Sequence, residues 1–368
     1  MSTLSSRRSF LTHAAAGFST LALSRHALAQ GAAEPPSRAL AIENAVTEPV
    51  RVEVNARAIP SFEPRDRTRT RFGSLEYRSG LVLTSRYRGF GGLSGIRLDA
   101  KGEGFLAVSD QGGWFTGRIR YAGGKMAGLD DVEAAPLLGA EGRPITDKRL
   151  WWDSESIARD GNVVYVGLER VNQILRYDFS KGGTHARGEV IPVPPGVRRL
   201  PSNKGLEALV VVPKEKDKGK EQSKGQGQPL AGTLIAFSER GLDADGNLTA
   251  FLIGGPTPGQ FSVRRTEKYD ISDAVLLPSG EILILERKFS WFTGVNIRIR
   301  SLQLKSIAPG ALVDGPALFV ADLGQEIDNM EGIDAHVTPE GETVLTLISD
   351  DNFSMLQRTL LLQFTLAE

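Results

Sequence analysis

The sequence predicts an all-β protein, a β-propeller of about six blades whose ring is closed by strands from both chain ends. Three observations lead to this prediction: five copies of one two-strand unit, an abundance of Gly (41) and Pro (19), and few amphipathic helical runs. With 40% apolar and 24% charged residues, the 368-residue chain can bury a sizeable core. Cysteine is absent from the sequence, which excludes thiol catalysis, iron–sulfur clusters and disulfides.

The first 29 residues have the pattern of a twin-arginine signal peptide. Arg7 and Arg8 precede a mildly apolar stretch, and an A-x-A site ends at Ala29. The alternatives are a disordered basic N-terminus or a membrane anchor, but the apolar stretch is shorter than the ~20 residues of a spanning helix. We therefore expect a bacterial periplasmic or secreted protein with no membrane span after cleavage. A linker is expected over residues 30–41.

The remainder, residues 42–368, is predicted to be a single propeller domain. Each copy of the repeated unit has a small or acidic residue opening one strand, a Gly-containing turn, and a second strand ending in an acid. The copies are spaced at about the length of one four-stranded blade. A sixth blade is expected from strands near both termini: Val50–Val54, Leu75–Ser85 and Thr359–Leu366. The polar segment 214–228 predicts a disordered insertion loop inside the third unit.

Acidic residues recur at the opening of the first strand in these units. In a hairpin that opening lies beside the end of the second strand, so the acids of all units should collect at the mouth of the central channel. Their repulsion would be relieved by a hard cation, and the oxygen-rich set favours Ca²⁺ as the cofactor. The predicted metal ligands are Glu155, Glu207, Asp273, Glu331, Asp350, Asp351 and Asn352. Alternatively, these side chains cap turns or pair with nearby cations.

Basic and aromatic side chains near the same mouth are candidates for ligand contacts. Lys204, Arg240 and Arg287 are predicted to bind substrate phosphates, unless they only pair with the neighbouring carboxylates. Trp114 and Trp291 follow the acidic strand ends and either stack on a ligand or plug the blade edges. Removing the signal peptide leaves a slight excess of acids over bases, so no nucleic-acid partner is expected.

Several separated motifs carry a family resemblance. They are Phe90–Gly95 (FGGLSG), Ser109–Gly117 (SDQGGWFTG), Asn203–Ala208 (NKGLEA), Leu285–Arg287 (LER), Asp328–Ile333 (DNMEGI) and Ser349–Leu361 (SDDNFSMLQRTLL). Together they resemble the bacterial esterase-like activity of phytase family, over roughly residues 70 to 368. The resemblance implies a propeller-like fold and hydrolysis of phosphate or other esters, and it supplies no catalytic residue that can be carried over.

These observations predict a periplasmic metal-dependent ester or phosphoester hydrolase, with a small-molecule substrate bound at an acidic channel mouth. Nucleophilic serine catalysis is not expected, because the G-x-S-x-G pattern is absent and neither His185 nor His336 lies in a motif. The alternative is a propeller that binds a ligand or a partner protein without catalysis.

Overall fold

The structure, a computed structural model, describes residues 45–148, 150–214, 230–291 and 294–367. The predicted signal peptide, the predicted linker and residues 215–228 of the predicted insertion loop lie outside this part of the chain. The described chain begins with β1 (Val50–Arg51), β2 (Val54–Ile59), β3 (Arg71–Phe72) and β4 (Leu75–Ser85).

Five sheets, which we call blades one to five, contain the strands of the described residues. Blade one consists of β5 (Leu93–Leu98), β6 (Gly104–Ser109), β7 (Gly113–Ala122) and β8 (Lys125–Pro136), with β1 paired to β8. Blade two consists of β9 (Ser154–Asp160), β10 (Val163–Leu168), β11 (Gln173–Asp178) and β12 (Glu189–Val190). Blade three contains β13 (Leu206–Val211), β14 (Thr233–Leu242), β15 (Leu248–Gly254) and β16 (Gly259–Val263), with β20 (Leu312–Val313) parallel to β16.

The last two blades follow the same antiparallel plan. Blade four consists of β17 (Asp270–Leu276), β18 (Glu281–Ser290), β19 (Gly294–Gln303) and β21 (Ala317–Asp322). Blade five consists of β22 (Asn329–Val337), β23 (Thr343–Asp350) and β24 (Thr359–Leu366), followed by β4 and β2, with β3 paired to β4. Short helical turns occupy Ile145–Asp147, Phe179–Lys181, Gly183–His185, Leu304–Ser306 and α1 (Pro195–Arg198).

The first strand of each repeated unit is the innermost strand of its blade. β5, β9, β13, β17 and β22 each contact the next in that order, and β22 contacts β5. This cyclic arrangement of five sheets, each of four to six mainly antiparallel strands, is an all-β propeller fold. Among the described residues, no helix is both long enough and apolar enough to cross a membrane.

The prediction of about six blades is wrong, because the described strands form five sheets. The terminal strands assigned to a sixth blade serve instead as outer strands of existing ones. β2 and β4 join β24 in blade five, and β1 joins blade one. The repeated unit of blade five supplies only an inner pair, β22 and β23, so its outer positions are available to these strands.

The core lies between neighbouring blades, and alternate residues of a strand face opposite neighbours. On β18, Ile282 and Ile284 pack in the cluster shared with blade three. Leu283 and Leu285 pack in the cluster shared with blade five. The face of β18 that carries odd-numbered residues is therefore directed toward blade five.

Candidate metal and substrate site

A β-bulge occurs at the same place in the innermost strand of every blade. The pairing register with the second strand skips one residue near the start of each of these strands. The skipped residues are Ser94, Glu155, Glu207, Ser272 and Glu331. A bulged residue is not paired in the ladder and its side chain is aimed differently from those of its neighbours. The bulges therefore give three blades a glutamate at the same end of the ring.

The second strand of each blade contributes a further side chain at this end. The innermost-strand residue before each bulge pairs with a residue of the second strand, and the side chain in question belongs to the next residue of that second strand. In blades one to five this residue is Asp110, Glu169, Glu239, Arg287 and Asp350. Four of these side chains are acidic and the one from blade four is basic. The site thus combines two equivalent positions from each blade.

Blade four is offset by one residue from the alignment that the sequence suggested. Its bulged residue is Ser272, so Asp273 is paired in the strand ladder and does not hold the position of the bulged glutamates. The Arg97 guanidinium donates to both Asp273 carboxylate oxygens, at 2.9 and 3.0 Å, and both side chains are buried. The Ile333 amide also donates to Asp273, at 2.9 Å. The structure therefore does not bring Asp273 to the carboxylates at the mouth.

Eight carboxyl groups gather at the mouth and are called the mouth cluster below. They are Asp110, Asp153, Glu155, Glu169, Glu207, Glu239, Glu331 and Asp350. Seven are buried, and Glu155 alone among the eight is partly exposed. Of the predicted metal ligands, the structure brings Glu155, Glu207, Glu331 and Asp350 into this cluster.

Three cations contact the mouth cluster. The Arg287 guanidinium lies 2.6 Å from Glu331, 3.5 Å from Glu207 and 3.6 Å from Glu239. Lys204 Nζ lies 3.2 Å from Glu239. Arg170 Nε lies 2.8 Å from Asp153. Fewer cations than carboxyl groups are present, so the described cluster carries excess negative charge if all its acids are ionised.

Burial and mutual repulsion raise the pKa values of several acids in this cluster. Burial, followed by the neighbouring carboxylates, raises the pKa of Asp110, Glu155 and Glu207 well above the ordinary range. Burial likewise raises the pKa of Glu169 and Glu331 to about 8, and that of Asp350 to about 7. The cluster therefore retains protons near neutral pH unless a further cation neutralises it.

Three glutamates of the cluster have a geometry suited to a metal ion. One carboxylate oxygen from each of Glu169, Glu207 and Glu239 lies within 4.8 Å of the others. Oxygens that bind one Ca²⁺ at about 2.4 Å are at most about 4.8 Å apart, so this donor set fits calcium. Sequence reasoning selected only Glu207 as a ligand. Glu169 and Glu239 could also have been identified from the sequence, because each is the acid that ends the second strand of its repeated unit.

Other predicted site residues have local partners. Asp351 accepts hydrogen bonds from the Gly92 and Phe353 amides, each at 3.1 Å, and from the Thr359 hydroxyl at 3.0 Å. Asn352 is exposed, with a left-handed backbone (φ 48°). Asp351 is thus held by local donors, but it borders the mouth cluster, because its charge contributes to the raised pKa of Asp350; Asn352 lies in the turn after β23.

The predicted phosphate-binding cations divide into two groups. Lys204 and Arg287 face the mouth cluster, whereas Arg240 forms an ion pair with Asp270, to which its Nε donates at 2.9 Å. The tryptophans divide as well. Trp114 is fully buried, with its ring edge-on to Tyr177 at 5.0 Å, whereas the Trp291 side chain is 79% exposed.

The chain belongs to the phytase-like family described as "Esterase-like activity of phytase", whose sequence profile matches residues 88–353. This range includes all eight acids of the mouth cluster. No curated protein is similar enough to count as a match.

Solved structures show distant similarity. The glutaminyl cyclase of Myxococcus xanthus is 11% identical, over 87% of this chain and 100% of that chain, with a TM-score of 0.36. The WD40 domain of Neurospora crassa Pan2 is 13% identical, over 76% of this chain and 90% of that chain, with a TM-score of 0.31. Neither score reaches 0.5, so the propeller assignment rests on the strand pairing itself.

Proposed function

We propose that this protein is a metal-dependent hydrolase of phosphate or other ester bonds in small molecules, with Ca²⁺ as its cofactor and the periplasm or the exterior as its location. One observation carries the proposal: among the described residues, eight carboxyl groups gather at the mouth of the ring, and three cations contact four of them. The family description supports ester hydrolysis as the reaction class.

The charge of the mouth cluster determines which residues could bind an anionic substrate. A phosphate group would be repelled by the carboxylates unless a metal ion offset them. Bound Ca²⁺ would supply Lewis-acid chemistry, polarising the ester and lowering the pKa of water. Glu169, Glu207 and Glu239 would hold the ion, and the Arg287 and Lys204 side chains would bind anionic oxygens of the substrate.

Glu155 is the candidate for proton transfer. It is the partly exposed acid of the cluster, and burial and four neighbouring carboxylates raise its pKa well above the usual range. It shares a hydrogen bond with Asp153, so a proton can be held between the two carboxyl groups. In hydrolysis, water forms a new bond to the phosphorus or carbonyl carbon. The bond to the alcohol oxygen breaks and Glu155 gives that oxygen a proton, while the proton that the water loses passes to the Asp153–Glu155 pair and restores it.

The test of this proposal uses the substitution Glu207→Gln, which keeps the side-chain shape and removes one charge. Ca²⁺ should raise the Tm of the wild-type protein, since a ligand at a hundredfold excess over Kd adds about 2.7 kcal/mol to the folded state. Glu207→Gln should reduce this response and reduce hydrolysis across a phosphatase, lactonase and esterase panel. Calorimetry and the panel, each with calcium or a chelator, provide the measurements.

Glu133→Gln is the matched control, because Glu133 is an exposed acid of β8 that pairs with Arg51. It should respond to calcium as the wild type does. The metal proposal fails if the wild type shows no thermal response to Ca²⁺, Mg²⁺ or Mn²⁺. A calcium response without hydrolysis of any panel substrate would favour the non-catalytic binding propeller instead.

A further inference from the structure

Two exposed aromatic side chains lie at the end of β18, the strand that carries Arg287: Phe289 in the strand and Trp291 directly after it. Phe289 is 59% exposed and Trp291 is 79% exposed, and their ring centroids are 5.4 Å apart, edge to face. Large aromatic side chains that remain in water next to a polar cleft commonly mark a binding surface. The pair has no role in the core of the propeller.

The alternation of β18 places Phe289 on the side of the mouth cluster. Residues two apart on a strand share a face, so Arg287 and Phe289 lie on the same side of β18, and Trp291 is the first residue of the turn that follows the strand. Arg287 extends from that side to Glu331, at 2.6 Å. At about 3.3 Å per residue, Phe289 stands roughly 7 Å beyond Arg287 along the strand.

The opposite side of the strand is occupied by other contacts. Lys288 Nζ lies 4.5 Å from the centre of the Tyr269 ring. Glu286 accepts hydrogen bonds from the Arg298 and Arg300 guanidinium groups, each Nε donating at 2.8 Å. These contacts occupy the even-numbered face of β18, so Phe289 lies on the face directed toward blade five, and the Trp291 ring packs against it.

Blade five has a second exposed apolar segment at the same end of the ring. The segment between Asp350 and Thr359 exposes Met355 and Leu356 almost completely. Arg358 anchors this segment, since its Nη1 donates to Glu326 at 2.6 Å and its Nη2 to the Ile327 carbonyl at 2.9 Å. Blades four and five thus each expose apolar side chains at the end of the ring that carries the mouth cluster.

We propose that Phe289 and Trp291 form an aromatic subsite for the apolar part of the substrate. The substrate is then a monoester with an aryl or long alkyl group rather than a polar molecule bearing several phosphates. Its anionic group binds at Arg287 and the metal site, and its apolar group stacks on the rings above. This inference rests on the proposed function, because it extends the same site along the same strand.

The test measures binding of compounds that cannot be hydrolysed. Naphthylmethylphosphonate and methylphosphonate carry the same charged group, and their carbon–phosphorus bonds are not ester bonds. With calcium present, the full-length wild type should bind the naphthyl compound more tightly. Trp291→Ala should weaken binding of the naphthyl compound about tenfold, a typical loss for one aromatic stacking contact, and leave that of methylphosphonate unchanged. Titration calorimetry gives both dissociation constants.

Val337→Ala is the matched control, because Val337 is an exposed apolar residue at the far end of β22. It should leave both constants unchanged. Equal affinity of the wild type for the two phosphonates, or equal losses for both in Trp291→Ala, would overturn the aromatic subsite. Selective naphthyl binding in a protein that hydrolyses no ester would support the subsite and contradict the hydrolase proposal. Failure of both phosphonates to bind would overturn both inferences.

Discussion

At the scale of single residues, Arg97 has the most demanding environment in the propeller. Its buried guanidinium donates to the carbonyls of Leu209, Ala274 and Ile333, at 3.3, 3.3 and 3.0 Å, as well as to Asp273. Arg97 comes from β5, so this one side chain connects the innermost strands of four blades. It therefore lies among the innermost strands, near the axis of the ring.

We expect Arg97→Leu to lower the free energy of unfolding by about 3–5 kcal/mol, because it leaves the buried Asp273 carboxylate without its partner. Urea denaturation followed by circular dichroism measures this loss. Replacing both residues, as in Arg97→Leu with Asp273→Leu, removes the unpaired charge and should recover part of the stability. A loss below about 1 kcal/mol for the single variant would show that the Arg97–Asp273 ion pair contributes little to the stability of the fold.

The offset in blade four shows what the sequence could not reveal about the site. Glu-Arg recurs at the ends of the second strands of units two, three and four, so aligning the dipeptides equates Glu286 with Glu239. Strand pairing equates Arg287 with Glu239 instead. A shift of one residue moves a side chain to the other face of a strand. Composition and spacing could place Arg287 near the acidic mouth, but only the pairing register shows that it takes the position held by an acid in the other blades.

At the scale of elements, the innermost strands come unusually close where small residues follow the bulges. A Cβ on Gly332 of β22 would lie 3.1 Å from Gly95 Cα, 3.2 Å from the Ile96 amide nitrogen and 2.7 Å from Ile348 Cγ2. The first two neighbours are backbone atoms of β5, which cannot move without shifting the strand. Small residues thus set the distance between blades one and five.

Gly332→Ala should therefore destabilise the protein by about 1–3 kcal/mol through overpacking between β5 and β22. The midpoint of urea unfolding is the measurement. Gly139→Ala is the control, because its added Cβ would first meet a movable carboxylate oxygen of Glu141 at 3.3 Å. If both variants unfold at the same midpoint as the wild type, the strands are less constrained than their spacing indicates.

The repeated inner strands were predictable because each unit pairs locally, through a short turn, and its alternating apolar residues are visible in the sequence. Strands near both termini were expected to share one blade, and β4 does pair with β24. That these strands extend the fifth unit was not predicted, because no local pattern shows that β23 takes β24 as its neighbour. The excess blade in the prediction came from treating these distant strands as a separate unit.

At the scale of the whole molecule, the raised pKa values predict how stability depends on pH. Glu169 and Glu331 have pKa values of about 8 in the folded state and Asp350 about 7, all above their ordinary values. Between about pH 5 and 8 the folded state then binds more protons than the unfolded state, so stability falls as pH rises. In a chelator, the Tm should decrease over this range.

Calcium should oppose this decrease, and more strongly at pH 8 than at pH 5, because a metal ion binds the deprotonated carboxylates. Thermal scans at several pH values, with chelator or with calcium, separate the two effects. Glu331→Gln removes one of the titrating groups and should flatten the dependence seen in chelator. A Tm that rises from pH 5 to 8 without metal would contradict the protonated cluster.

The pairing of β4 with β24 also affects the polypeptide while it is being synthesised. β4 leaves the ribosome early, and β2 can cover one of its edges at once, but its other edge has no partner until β24 has been made. Until then a row of backbone N–H and C=O groups is open to strands of other chains. A ribosome that stalls before residue 359 would therefore release a nearly complete chain with an unpaired edge, prone to aggregation or degradation.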